Sequence, residues 1–179
     1  MTAKIDTVSL DQLDFIPYID ADGKLPESLS RTIGVYAIFD RDKTLKYVGY
    51  SRDIFQSLKQ HLVRQTQACH WLKVQTITRP SRTLLEEIRT AWIAENGSVP
   101  PGNGEEGDRW NQPIDVKLQM TPEEIDQFKT LDELSKEKLL KNVARRVEAL
   151  ILQELAERGV QENIRFNPKF KTDGILDLK

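Results

Sequence analysis

The stretch Ile33-Gly34-Val35-Tyr36-Ala37-Ile38-Phe39, then Asp40-Arg41-Asp42-Lys43, then Leu45-Lys46-Tyr47-Val48-Gly49 decides the fold. The first run is apolar and rich in β-branched residues, which predicts a buried strand. The charged tetrapeptide supplies a turn, and the second run alternates in polarity. Together they predict an antiparallel hairpin. Downstream, Ile54, Leu58 and Leu62 recur every four residues behind Asp53, with Phe55 widening the stripe, so a helix follows. Trp71 to Ile77 alternates again and predicts a third strand. Pro80-Ser81 then opens a second helix carrying Leu84, Leu85, Ile88, Ala91 and Trp92, closed by Asn96-Gly97.

The flanks read differently. Residues 1–30 form an N-terminal arm, with Leu13, Phe15, Ile16, Tyr18 and Ile19 packed on the domain. Residues 99–113 hold Pro100, Pro101, Gly102, Gly104, Gly107 and Pro113, and residues 104–120 are expected to be a loop or linker. Residues 121–179 form a C-terminal helical extension. There Thr121-Pro122-Glu123-Glu124 signals a capped helix start, and a long amphipathic helix is expected from about 135 to 158. Its apolar positions are Leu139, Leu140, Val143, Val147, Leu150, Ile151 and Leu155. The fold class is therefore α+β: a small three-stranded antiparallel or mixed sheet flanked by helices, with an additional long C-terminal helix.

The 179 residues carry a net charge of −2, which by itself argues for no polyanionic partner. Its distribution says more. Residues 1–30 hold two basic and six acidic side chains, net −4. Residues 31–103 hold eleven basic and six acidic, net +5, and residues 104–179 hold thirteen and sixteen, net −3. A basic centre lies between acidic flanks. One cysteine, Cys69, excludes an internal disulfide or a cysteine-rich zinc site and reads as a small hydrophobe. Two histidines leave little for a histidine metal cage. No apolar run is long enough to span a membrane, and the N-terminus lacks the pattern of a secretory signal, so a cytoplasmic protein is expected.

Gly34-Val35-Tyr36, ten intervening residues, then Tyr47-Val48-Gly49 and a helix resemble the GIY-YIG nuclease family. A third strand, a second helix and the Pro-x-x-Asn of Pro100 to Asn103 follow in the same order. Residues 31–103 carry this likeness, and the segment VPPGN is similar to the GIY-YIG domain fused to plant chloroplast monothiol glutaredoxins. The resemblance implies metal-dependent hydrolysis of DNA phosphodiester bonds with one Mg²⁺ or Mn²⁺. It implies Tyr36, Tyr47 and His61 as catalytic residues, and Gly34, Gly49 and Asn103 as structural motif positions. A hard cation requires oxygen ligands, and the family takes one from a glutamate on the second helix.

Two positions depart from the pattern. Where the family places an arginine on the first helix, this chain has Ser57. Counting back from Trp92 to the metal glutamate lands on Arg89, and counting back from Asn103 lands on Ala91. Glu86 and Glu87 stand nearby, and Glu87, which flanks the apolar stripe, is the better metal-ligand candidate. Ser57, His61 and Arg64 share one side of the first helix. Arg52, Lys59 and Arg64 are the candidate nucleic-acid contacts. Two functional expectations stand side by side: a divergent GIY-YIG endonuclease, or a catalytically degenerate fold serving as a nucleic-acid-binding or protein-interaction module. The expected partner is DNA, and the long helix is a candidate homodimer surface.

Overall fold

The computed structural model describes residues 7–179, so the first six residues of the expected arm lie outside the described residues. The chain divides into two compact units, residues 1–111 and 112–179.

The first unit is built on an antiparallel sheet of β1 (Ile16–Pro17), β2 (Ile33–Phe39), β3 (Leu45–Ser51) and β4 (Trp71–Ile77) in the order β1-β4-β2-β3. The hairpin forms as its sequence predicts, with Tyr36 opposite Gly49 and Ala37 opposite Val48. The sheet gains a fourth, two-residue strand from the arm, where Ile16 pairs with Leu72. That strand escapes pattern reading because two residues are too few to show a period. The turn after β2 is fastened by the Asp40 carboxylate, which accepts from the amides of Asp42 and Thr44, each at 2.9 Å.

Helix α1 (Ile54–Arg64) starts at Asp53, whose side chain accepts from the Gln56 amide. It buries Ile54, Leu58 and Leu62 completely. Helix α2 (Arg82–Asn96) is capped by Ser81 and stopped by Gly97, whose φ of +83° suits only a residue without a side chain. It buries Leu85, Ile88 and Trp92 against Val35, Ala37 and Val48 of the sheet. Ala91, expected on that stripe, is exposed instead. It lies three residues beyond Ile88, and with Trp92 filling the contact, the stripe follows the i, i+4 spacing of 88 and 92.

Residues 104–111 depart from the expected linker. A five-residue helix, α3 (Gly107–Asn111), forms there and buries Trp110 almost completely. Just before it, Gly102 lies so close to Trp110 that a Cβ would sit 2.9 Å from its ring, so this connection is packed and not loose.

The second unit contains β5 (Ile114–Asp115), α4 (Pro122–Thr130), α5 (Glu133–Glu157) and β6 (Ile175–Leu176), with β5 and β6 paired. The capping box at Thr121 and Glu124 forms in full. Helix α5 begins at Asp132, whose carboxylate caps the Ser135 amide at 2.8 Å. It buries Leu140, Val143, Ala144, Val147, Ile151 and Leu155, whereas Leu150 is half exposed. Arg146 grips Glu124 with two hydrogen bonds of 2.7 and 2.9 Å, which ties α5 to α4. No helix among the described residues is long and apolar enough to cross a membrane.

Candidate functional site

The motif tyrosines converge because strand alternation and pairing place them on one face of the sheet. Tyr36 on β2 and Tyr47 on β3 bring their ring centroids to 6.1 Å. Gly49 makes that approach possible. A Cβ there would lie 2.5 Å from the Tyr47 ring and 2.9 Å from the Tyr36 hydroxyl, closer than any real side chain sits. Gly34 is required for a different reason, since its Cβ would meet the Gln75 carbonyl at 2.3 Å across the β2–β4 pair.

His61 joins them from α1. Its Nε2 lies 2.8 Å from the Tyr36 hydroxyl, and its ring centroid is 4.6 Å from that of Tyr47. All three residues are buried. Tyr36, Tyr47 and His61, the expected catalytic set, therefore form one cluster.

What covers that cluster comes from α3. Trp110 stacks on Tyr47 with centroids 5.2 Å apart and planes inclined by 3°, and it also flanks His61 at 5.7 Å. Asn111 accepts a 2.6 Å hydrogen bond from the Tyr47 hydroxyl. Arg64 donates to the Trp110 carbonyl at 3.1 Å. This residue, expected to contact phosphate, instead fastens the covering tryptophan. Burial leaves two polar atoms without hydrogen bonds among the described residues, His61 Nδ1 and Trp110 Nε1.

The electrostatics follow from that dryness. Burial, reinforced by the Arg64 guanidinium, holds the His61 pKa down at about 3, with the Trp110 carbonyl opposing. Burial and the neighbouring Tyr47 push the Tyr36 phenol well above its ordinary value, with the Ser57 hydroxyl and Arg64 acting the other way. Burial raises Tyr47 as well, with Arg89 chief among the opposing influences. Neutral tyrosines and a neutral imidazole are the stable forms here. The missing arginine is not replaced beside Tyr36: Ser57 turns to the Ser51 hydroxyl at 2.8 Å.

On its other side Tyr47 lines an open cleft of about 400 Å³ with Arg89, Thr90, Ile93, Val99, Asn103 and Asn111. Asn103 is a clamp rather than a reactive group. Its amide side chain bonds both the N–H and the carbonyl of Val48 at 2.8 Å, completing the open edge of β3. Arg89 is the charged group at this wall. Its guanidinium lies 5.0 Å from the Tyr50 ring and pairs with Glu86 at 2.6 Å. Glu86 also accepts from the Tyr50 hydroxyl at 2.6 Å, and this bond, with Arg89 behind it, holds its carboxyl below the usual range.

Glu87 does not join this group. At 100° per residue it lies 200° around α2 from Arg89, and it lines an outward hollow with Arg82, Thr83, Glu86, Thr90, Ala91 and Ala94, away from Tyr47. The residues therefore do not fit a hard divalent cation. Where oxygen ligands are needed the wall presents a guanidinium, and the nearest carboxylate, Glu86, is already engaged by Arg89 and Tyr50. No group of three or more potential metal-ligating side chains occurs among the described residues.

Of the expected phosphate contacts, Arg52 is exposed and lines a depression with Tyr50, Ser51, Ser81 and Arg82, while Lys59 is half-buried on α1. Sequence reasoning missed Tyr50, Arg82, Trp110 and Asn111. Arg89 was visible as a departure from the family pattern. Trp110 and Asn111 gave no signal within a stretch that reads as loop.

No family model matches the chain. Over 99 residues it is 34% identical to a bifunctional monothiol glutaredoxin-S16, chloroplastic, of Arabidopsis thaliana. The aligned stretch is 53% of this chain and 32% of that protein, so the match spans about a third of the relative's length.

Proposed function

We propose that the first unit is a GIY-YIG-like module that binds DNA without cutting it. The observation that carries this reading is Arg89. A guanidinium stands at the Tyr47 wall where the family's chemistry requires a metal-binding carboxylate, and it repels a cation that a carboxylate would hold. The burial of Tyr36 and His61 beneath Trp110 supports the same reading, because a phosphodiester must reach those groups to react. The positive centre of the chain, with Arg52, Arg82 and Arg89 disposed around Tyr50, favours a polyanion as the partner.

A salt series with a short DNA duplex tests the binding. The logarithm of affinity is expected to fall linearly with that of salt concentration, with a slope near −0.9 per phosphate neutralised. Affinity indifferent to salt would end the DNA reading. A plasmid-nicking assay with Mg²⁺ and with Mn²⁺ tests the silence, with wild type expected to match a mock preparation. The convergence of Tyr36, Tyr47 and His61 favours the competing reading, a metal-dependent endonuclease. Nicking abolished by Tyr36→Phe would establish it.

A further inference from the structure

We infer that the cleft between Tyr47, Arg89, Thr90 and Asn111 binds a phosphate monoester directly, with no metal between protein and phosphate. This rests on the proposed reading of a non-cleaving module and deepens it by naming the group recognised. The argument begins with how Arg89 is held. The guanidinium carbon lies 5.0 Å from the Tyr50 ring centroid and Glu86 takes Nη2, so two partners restrict the group before any ligand arrives. Its Nη1 and Nε form no hydrogen bond among the described residues. Its side chain is 34% exposed, so this edge is reachable. A rigid guanidinium edge with two free donors is the geometry that pairs bidentately with phosphate oxygens.

The cavity fits the rest of such a ligand. About 400 Å³ is within the range of sites for small organic molecules. Ile93 and Val99 provide an apolar wall for a base or sugar, and the Thr90 hydroxyl and Asn111 amide provide polar contacts. The cleft's neighbour favours phosphate over a simple carboxylate. Tyr50, which carries Arg89 on its ring, also lines the depression that holds Arg52 and Arg82. Arg52 and Arg82 line that neighbouring depression and not the cleft itself, so Arg89 makes the direct contact, while three guanidinium groups against Glu86 and Glu87 leave the surroundings net positive. The same chemistry is offered by a free nucleotide and by the 5′ end of a DNA strand.

The full chain, with EDTA present, is titrated with thymidine 5′-monophosphate, inorganic phosphate, and oligothymidylate bearing either a 5′-phosphate or a 5′-hydroxyl. Fluorescence is the readout, because Trp110 stacks on the tyrosine that lines the cleft. The expected result is that the 5′-phosphate tightens binding at least fivefold, that Arg89→Met removes this gain, and that Arg89→Lys keeps part of it. Thr90→Asp, a change at an exposed position, is expected to abolish the gain by placing a like charge in the cleft, and thermal melts verify that each variant folds. A mononucleotide bound as tightly as the strand end assigns the site to free nucleotides, and a tenfold preference for the strand end assigns it to DNA termini. Equal, salt-sensitive binding of both oligonucleotides overturns the proposal while leaving DNA binding in place. Binding of the mononucleotide but of no DNA supports the site and overturns the DNA reading. No binding of any probe overturns both.

Discussion

Tyr36 and Tyr47 come from one motif pair and sit 6.1 Å apart, yet their surroundings are opposite. Tyr36 and His61 are buried beneath Trp110, the imidazole pKa is depressed, and His61 Nδ1 and Trp110 Nε1 form no hydrogen bond among the described residues. Tyr47 is the dividing wall, and on its far side an open cleft carries a guanidinium held for contact. The residues that look most chemical in the sequence are thus buried, and the residue that looks like a departure, Arg89, is partly exposed and paired with Glu86. A motif identifies where side chains meet. It does not say on which side of them water stands.

Removing the cover should have the largest effect on this division. Trp110 is 1% exposed and touches Tyr47, His61 and Gly102. Trp110→Ala is expected to destabilise the first unit by about 3–5 kcal/mol. Urea unfolding would measure this, followed by the fluorescence of the remaining tryptophans, Trp71 and Trp92, both of which belong to that unit. A loss below about 1 kcal/mol would mean that Trp110 lies loosely on the cluster and that the tyrosines are accessible.

Acid provides the next test of the dry side. His61 is neutral in the folded protein down to about pH 3, whereas an unfolded imidazole charges near its ordinary value of 6.5. Above pH 6.5 the stability from this group is fully present. As pH falls below that, the unfolded chain takes up a proton that the folded chain refuses, and stability drops by up to roughly 1.4 kcal/mol per pH unit. The depressed carboxylates Glu86, Glu124 and Asp132 contribute in the same direction, but only below their ordinary values of 4.5 or less. Tryptophan-detected urea midpoints between pH 6.5 and 4.5 therefore report His61. His61→Gln is expected to flatten that slope, and an unchanged slope would show that the imidazole is not sealed.

The three longer strands, both principal helices and the long helix of the second unit were legible because each is long enough to show a period. Thr121 caps α4 where its capping-box sequence places it. Strand β1 was hidden by its two-residue length, and α3 by the glycines around it. The candidate site was legible in half. The spacing of Tyr36, Tyr47 and Gly49 encodes convergence, since strand pairing alone brings them together. The role of Trp110 arises from tertiary contacts with Tyr47, His61 and Arg64, all distant in the chain, and nothing local in the sequence announces it. The sequence pattern favours Glu87 over Glu86 only if the apolar stripe runs through Ala91, which is exposed. With the stripe corrected to 85, 88 and 92, Glu86 and Arg89 are the residues that turn toward Tyr50.

The smallest expected effects lie in the tyrosine hydroxyls, and their ratio separates the two sides most directly. Tyr36→Phe removes the hydrogen bond to Nε2 of a buried imidazole whose Nδ1 forms no hydrogen bond among the described residues. Stranding a buried polar group costs about 1–3 kcal/mol. Tyr47→Phe removes the bond to Asn111, but Asn111 is exposed and lines the open cleft, so water can replace the lost donor. A loss of about 1 kcal/mol or less is expected there. Because each change deletes one oxygen and leaves the ring, packing is nearly constant across the pair, and the difference in urea midpoint measures access to water. Equal losses would show that the wall formed by Tyr47 does not divide a dry compartment from a wet one.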